Sequence, residues 1–81
     1  MKIITYIKTG CPWCIALTDF LDEKGVEYEK RNVTENPEFM AEMFDKSGQQ
    51  KAPTVDIDGE ILVDSDKDEV EAYLKEKGVL K

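Results

Sequence analysis

Apolar residues fall into short clusters along this chain, and the spacing within each cluster predicts a secondary-structure element. The first cluster, Lys2 to Ile7, is rich in β-branched residues, which is typical of a buried central strand. Thr9-Gly10 ends this strand. Apolar residues then recur at helical spacing from Ile15 to Lys24, with Pro12 in the first turn and Gly25 as the stop signal. The chain is therefore expected to begin with a strand and a helix.

The middle of the chain predicts an edge strand followed by a second helix. The segment from Val26 to Val33 alternates only in part and carries many charges, as strands at sheet edges do. Asn36-Pro37 supplies an N-cap and a first-turn proline, and Ser47-Gly48 ends the helix. The apolar stripe of this helix is expected to lie in the core and consists of Phe39, Met40, Met43 and Phe44.

A β-hairpin is predicted around Asp58-Gly59, a strong turn signal. Apolar runs from Pro53 to Ile57 and from Glu60 to Val63 flank the turn. If the apolar residues of the first run face the core, Asp56 lies on the outward phase of its strand. The alternative is a buried Asp56, which could influence the sulfurs of Cys11 and Cys14.

A third helix completes the chain, with Ser65 and Asp68 resembling a capping box and Gly78 closing the helix. The predicted order is β-α-β-α-β-β-α. A crossover helix joins parallel strands and a tight turn joins antiparallel ones. The sequence therefore predicts an α/β fold, a four-stranded mixed sheet flanked by three helices. A chain of 81 residues has room for one core, so residues 1–81 are expected to form a single domain.

The charge of the chain limits its partners. The formal net charge is −7, and no cluster of Lys and Arg is present, so we expect binding neither to nucleic acid nor to anionic membranes. No apolar stretch approaches the roughly twenty residues of a membrane span. The first residues enter a strand at once and do not resemble a secretory signal. A cytoplasmic location is expected, where a closely spaced cysteine pair is redox-active or binds metal.

Cys11 and Cys14 are the only two cysteines, and they lie between the first strand and the first helix. The free N–H groups and the dipole of a helix N-terminus favour a thiolate there, and Lys8 is close in sequence. Cys11, at the helix start, is expected to be exposed and to attack a disulfide. Cys14, one turn further in, is expected to be shielded and to resolve the mixed disulfide. Pro12 stiffens the loop between the two sulfurs.

The order of elements and the dithiol together resemble the glutaredoxins, within the thioredoxin-fold superfamily. The resemblance covers nearly the whole chain and rests on Lys8 to Cys14 (KTGCPWC), on Lys46 to Pro53 (KSGQQKAP), and on Asp58-Gly59 followed by Ser65-Asp66. The chain departs from the usual family pattern at three places. Trp13 replaces the usual Tyr, Lys51-Ala52 replaces Thr-Val, and Val63-Asp64 replaces Gly-Gly.

This resemblance implies a glutaredoxin-type thiol–disulfide oxidoreductase, with glutathione as co-substrate and disulfide-containing proteins and glutathione mixed disulfides as substrates. It also implies that the Ala52–Pro53 bond is cis and faces the dithiol, where the Ala52 backbone can pair with an extended substrate. The alternative is a trans proline that opens an edge strand. Trp13 either stacks on the substrate or is a half-buried support of the loop. Lys8 either pairs with a substrate carboxylate and assists the thiolate or is a solvated lysine.

The resemblance places further glutathione contacts around the dithiol. Gln49 and Lys51, with Lys46 as a further candidate, are expected near the glycine carboxylate of glutathione. Ser65 and Asp66 are expected at its γ-glutamyl end, in addition to or instead of a simple N-cap role, next to the acidic Asp64. The predicted glutathione site consists of Lys8, Trp13, Gln49, Lys51, Ala52, Pro53, Ser65 and Asp66.

Four other interpretations of the cysteine pair remain open. A flavin reductase, the thioredoxin reductase, could replace glutathione as reductant, as for the electron donors of ribonucleotide reductase. A dimer could carry an iron–sulfur cluster. The pair could also bind zinc or form a structural disulfide, although the chain has no His and no third Cys to complete a tetrahedral zinc site. We expect no metal and a monomer.

Overall fold

The computed structural model describes residues 2–63 and 67–79 of the chain. Its elements follow the predicted order and have these bounds: β1 (Ile3–Ile7), α1 (Pro12–Glu23), β2 (Glu29–Asn32), α2 (Pro37–Ser47), β3 (Thr54–Ile57), β4 (Glu60–Leu62) and α3 (Lys67–Glu76).

The four strands form one mixed sheet in the order β2-β1-β3-β4. β1 runs parallel to β2 and antiparallel to β3, and β3 pairs with β4 through the hairpin. The predicted fold class is confirmed, since the crossover through α1 gives the parallel pair and Asp58-Gly59 makes the turn. Both turn residues have positive φ, +50° at Asp58 and +92° at Gly59.

β2 is shorter than its predicted span because the residues before it close α1. Gly25 has φ +68°, and its N–H donates to the Asp22 carbonyl, while the Val26 N–H donates to the Leu21 carbonyl at 3.0 Å. These two bonds satisfy carbonyls that the helix end leaves free. Val26 therefore serves the end of α1, and strand pairing begins only at Glu29.

Both faces of the sheet are covered, which places alternate residues of β1 in different hydrophobic clusters. On one face, α1 and α3 pack on β1 and β3, and the buried residues are Ile3, Leu17, Leu21, Val55, Ile57, Val70 and Leu74. On the other face, α2 packs on β1, and the cluster consists of Ile4, Tyr6, Val33 and Met43, with Phe39 and Met40 at its margin.

One member of the predicted α2 stripe lies outside the core. Phe44 is 50 % exposed, whereas Met43 is fully buried. Successive helical residues differ by about 100° around the axis. Met43 therefore points at the sheet while Phe44 lies beyond the edge of the buried face, and its assignment to the core was wrong.

Of the two placements that the sequence left open for Asp56, the structure has the buried one. Its residue exposure is only 9 %, because α2 covers the sheet face that a hairpin alone would leave open to water. Lys46 from α2 donates to the Asp56 carboxylate at 2.7 Å and to the Tyr6 hydroxyl at 2.8 Å, and the Gly59 N–H also donates to Asp56. Burial by itself raises the pKa of Asp56, but the hydrogen bonds from Lys46 and Gly59 outweigh it and hold this pKa below its ordinary value.

The structure tests only part of what the sequence predicts for the chain beyond the hairpin. The proposed capping residue Ser65, with Asp64 and Asp66, lies outside the described residues. Gly78 has φ +78° and closes α3 in the manner of Gly25, with the Val79 N–H donating to the Leu74 carbonyl. None of the helices among residues 2–63 and 67–79 has the length and apolar character needed to span a membrane.

Candidate active site

Cys11 occupies the N-cap of α1, so its side chain faces the free N–H groups of the first helical turn. Its backbone is extended, with φ −89° and ψ 111°, and Pro12 takes the first helical position. The Cys14 N–H donates to the Cys11 sulfur at 3.3 Å, and the Ile15 N–H donates to the Cys11 carbonyl at 3.1 Å. This geometry places a hydrogen-bond donor and the positive end of the helix dipole at one sulfur, which stabilises its thiolate.

The two cysteines differ in burial as predicted. Cys11 is half-buried, whereas Cys14 is 1 % exposed, and neither is in a disulfide. Burial is the main reason that the pKa of Cys14 is raised to about 12, and a hydrogen bond with the Cys11 sulfur adds to the rise. A backbone hydrogen bond with Lys8 and the Lys8 charge act in the opposite direction without overcoming it. Cys14 is therefore a neutral thiol near pH 7, and Cys11 is the sulfur available for attack.

A second loop reaches the same edge of the sheet. β1 leads into the cysteine loop and β3 follows Pro53, and the two strands are antiparallel neighbours with Tyr6 opposite Thr54. The Ala52–Pro53 bond is cis, as predicted, and Pro53 is fully buried. The Thr54 hydroxyl donates to the Lys51 carbonyl at 2.7 Å and holds this loop against the start of β3.

Lys8 joins the two loops. Its ammonium donates to the Gln50 carbonyl at 2.6 Å, a charge-assisted bond between the segment before Cys11 and the segment before Pro53. Its charge also acts on Cys14, in the direction of the thiolate. The sequence placed Lys8 correctly near the dithiol but gave no sign of the carbonyl that it binds.

The other predicted glutathione contacts differ in exposure and in the partners that they have. Trp13 is 67 % exposed, so it is not a half-buried support, and Ile15 beside it is 55 % exposed. Gln49 and Lys51 are exposed and Ala52 is half-buried. Lys46 belongs to α2, and its ammonium forms an ion pair with the Asp56 carboxylate. The remaining predicted contacts, Ser65 and Asp66, lie outside the described residues.

A small polar cluster beside the cysteine loop has no counterpart in the sequence predictions. The Thr9 N–H donates to the Thr34 hydroxyl at 3.1 Å, and the Asn32 amide donates to the Thr9 hydroxyl at 3.1 Å. The Asn32 carbonyl oxygen in turn accepts the N–H groups of Thr34 and Glu35. We call Thr9, Asn32 and Thr34 the Thr9 cluster. Asn32 two residues before Thr34 is a turn signal in the sequence, but its contact with Thr9 spans 23 residues and has no local signal.

The chemistry that these residues support is that of sulfur. Within residues 2–63 and 67–79, no group of three or more His, Cys, Asp or Glu side chains is placed to hold a metal ion. The site offers one half-exposed sulfur next to backbone donors and one buried thiol, a pair arranged for sequential thiol–disulfide exchange.

Known proteins are similar to this chain. The glutaredoxin family model matches residues 3–63. An uncharacterized glutaredoxin-like 8.6 kDa protein in the rubredoxin operon of Clostridium pasteurianum is 30 % identical over 70 residues, which cover 86 % of this chain and 93 % of that protein.

Two solved structures have the same fold. The glutaredoxin-like protein NrdH-redoxin from Escherichia coli is 25 % identical, with a TM-score of 0.73 over 89 % of this chain and 93 % of that one. A glutaredoxin from Archaeoglobus fulgidus is 18 % identical, with a TM-score of 0.77 over 90 % of this chain and 85 % of that one. The family match spans most of the chain and includes both cysteines and the cis proline, so the chain belongs to the glutaredoxin family, within the thioredoxin-fold superfamily.

Proposed function

We propose that this protein is a glutathione-linked thiol–disulfide oxidoreductase that reduces protein disulfides and glutathione mixed disulfides through Cys11 and Cys14. The observation that carries the proposal is the asymmetry of the two sulfurs. Cys11 is half-buried at the N-terminus of α1 and accepts the Cys14 N–H, whereas Cys14 is buried and its pKa is raised to about 12. One sulfur is thus suited to attack and the other to resolution.

The reaction proceeds in two exchanges. The Cys11 thiolate attacks one sulfur of the target disulfide, forms a mixed disulfide, and releases the other target sulfur as a thiolate that takes up a proton. Cys14 then loses its proton and attacks the Cys11 sulfur, which releases the second target thiol and leaves a Cys11–Cys14 disulfide. The target gains two electrons and the protein dithiol loses two. Two glutathione molecules restore the dithiol and become glutathione disulfide.

We place glutathione against the loop that precedes β3. The exposed side chains of Trp13, Gln49 and Lys51 and the Ala52–Pro53 segment border the edge of the sheet where the cysteine loop lies. Lys51 offers a positive charge to the glycine carboxylate, in a chain whose net charge is −7. Ser65 and Asp66 complete the proposed site at the γ-glutamyl end.

A reductant-swap assay tests this function. The purified protein is supplied with a glutathionylated peptide or with insulin, and NADPH consumption is followed with glutathione plus glutathione reductase or with thioredoxin reductase alone. Glutathione-linked activity predicts sustained turnover only in the first system. Turnover only in the second would overturn the glutathione assignment.

Serine variants of the two cysteines test the assigned roles. Cys11→Ser is expected to abolish both reactions because the attacking sulfur is missing. Cys14→Ser is expected to retain reduction of the glutathionylated peptide, which needs one thiol, and to lose reduction of insulin. Equal losses in the two variants would contradict the division of roles.

A second candidate function is that of an electron donor reduced by a flavin-containing thioredoxin reductase, of the type that serves ribonucleotide reductase. It is favoured by the similarity to the NrdH-redoxin of Escherichia coli, which is described as having a thioredoxin-like activity profile. The exposed pair Trp13 and Ile15 beside Cys11 also suits a protein partner. An iron–sulfur carrier is a third candidate, and a colourless, metal-free protein after anaerobic purification would exclude it.

We also propose a cytoplasmic location and a monomeric state. A single small core with a half-exposed nucleophile is complete without a second copy. Light scattering of the purified reduced protein tests the oligomeric state, and fractionation of the source cells tests the compartment. A dimer that persists in reductant, or recovery outside the cytoplasmic fraction, would overturn the respective proposal.

A further inference from the structure

We propose that the Thr9 cluster positions the Cys11 sulfur, so that Thr9, Asn32 and Thr34 act on the exchange reaction without touching the substrate. This inference rests on the proposed function and deepens it. The Thr9 cluster holds the Cys11 nucleophile in place from the side of the loop that faces β2.

The segment from Lys8 to Cys11 is a four-residue turn, and its last residue is the nucleophile. The Cys11 N–H reaches the Lys8 carbonyl at 3.4 Å, a long contact that closes the turn weakly. Gly10 has φ +76°, a conformation that favours glycine. Glycine also leaves the turn many alternatives, so contacts from outside are needed to select one conformation.

The Thr9 cluster supplies these contacts at the second residue of the turn. A turn of this kind leaves the N–H of its second residue without a partner inside the turn. Here the Thr34 hydroxyl accepts that N–H, and the Asn32 amide donates to the Thr9 hydroxyl, both at 3.1 Å. The turn is thereby fixed to the end of β2, which is itself paired with β1.

Asn32 is suited to this role because its own side chain is held in place. Its carbonyl oxygen accepts the N–H groups of Thr34 at 2.9 Å and Glu35 at 3.1 Å, which orients the amide nitrogen toward Thr9. On the opposite side of the loop, Lys8 binds the Gln50 carbonyl at 2.6 Å. The cysteine loop is therefore held from both sides, and Cys11 has one preferred position over the Cys14 N–H.

The effect of the cluster on the sulfur follows from this geometry. A turn released at Thr9 samples conformations in which the Cys11 sulfur no longer accepts the Cys14 N–H, and the thiolate loses that stabilisation. The hydrogen bonds of Thr9 are solvent-exposed. Their loss is expected to cost little global stability, so thiol reactivity and folding can be separated by experiment.

The test uses isosteric variants and measures alkylation of Cys11 by iodoacetamide as a function of pH, with peptide mapping by mass spectrometry to identify the modified residue. Thr9→Val removes the acceptor for Asn32, and Thr34→Val removes the acceptor for the Thr9 N–H. Each is expected to lower the rate of alkylation at pH 7 about two- to tenfold, the range of one lost hydrogen bond. Thr9→Ser and Thr34→Ser keep the hydroxyl groups and are expected to be alkylated like the wild type.

Tyr28→Phe is the matched control, because it removes a side-chain hydroxyl that donates to Asp22 at 2.9 Å and to the Thr18 carbonyl at 3.4 Å, neither of which belongs to the Thr9 cluster. It is expected to leave the alkylation profile unchanged. The proposal is overturned if the folded double variant Thr9→Val/Thr34→Val reacts like the wild type at every pH, or if Tyr28→Phe shifts the profile equally. Alkylation needs no disulfide substrate, so a wild-type protein that is alkylated normally but inactive with glutathione would refute the proposed function and leave the inference on Thr9 standing.

Discussion

Because the thiol of Cys14 is buried, the reduced protein is expected to lose stability at alkaline pH. The pKa of Cys14 is about 12 in the folded protein, against 9.0 for the unperturbed thiol, chiefly because of burial. A pKa that is raised on folding contributes stability that is complete below the unfolded value and is lost as the pH rises toward the folded value. The window for Cys14 therefore runs from about pH 9 to about pH 12.

The size of the effect follows from the two pKa values. At pH 8 both states hold the proton almost fully, and the loss of stability is below about 0.1 kcal/mol. At pH 10 the unfolded chain is mostly ionised at Cys14 while the folded chain is not, which removes about 1.4 kcal/mol from the free energy of unfolding. Urea denaturation of the reduced protein at pH 8 and pH 10, under argon with a phosphine reductant, measures this difference.

A Cys14→Ala variant provides the reference for this measurement. Tyr28 and Tyr73, whose pKa values are each raised to about 12, also destabilise the folded state at high pH, but they do so equally in both proteins. The wild type is expected to lose about 1.4 kcal/mol more than Cys14→Ala between pH 8 and pH 10. Equal losses would mean that the folded protein ionises Cys14 as easily as the unfolded chain, and the assignment of Cys14 as the protonated partner would fail.

Two further substitutions test how the rest of the structure supports the site. Lys46→Met leaves the Asp56 carboxylate buried without its cation and is expected to cost about 2 kcal/mol at pH 7 in urea denaturation. The pKa of Asp56 is lowered in the fold, so the cost should shrink as the pH falls below about 4, and a pH-independent cost would contradict the ion pair. Gly10→Ala forces a side chain to φ +76°, which is expected to lower the free energy of unfolding by about 1 kcal/mol and to slow alkylation of Cys11. The control is Gly25→Ala, at φ +68°, which should lower the free energy of unfolding as much and leave alkylation unchanged. Equal alkylation rates in the two glycine variants would show that the turn before Cys11 does not control the sulfur.

The parts of the fold that the sequence predicts correctly are those with local signals. Pro12 and the cysteine spacing mark the start of α1, and Asp58-Gly59 marks the hairpin, because each signal acts within a few residues. The order of elements then restricts the topology to a mixed sheet. The cis bond before Pro53 required the family resemblance as well, since proline alone favours the trans form.

The errors arise where a residue's surroundings come from a distant part of the chain. The placement of Asp56 stayed open because alternation along β3 identifies only one buried face, and the helix that covers the other face supplies Lys46. The same contact engages Lys46, which the sequence had offered only as a further candidate for the glycine carboxylate of glutathione. Phe44 was assigned to the core from spacing alone, although α2 extends past the sheet at that position. Periodicity identifies which residues share a face but not how wide the buried area is.

The difference between the two cysteines has both a local and a tertiary origin, which explains how much of the mechanism could be inferred in advance. The donors at the Cys11 sulfur belong to the first turn of α1 and follow from the sequence between Cys11 and Cys14. The raised pKa of Cys14 depends on burial, which the fold provides by packing α1 on the sheet. Without that packing Cys14 would lose its shielding from water, and both sulfurs would compete as nucleophiles. Ordered attack and resolution is in this sense a property of the folded domain rather than of the cysteine motif.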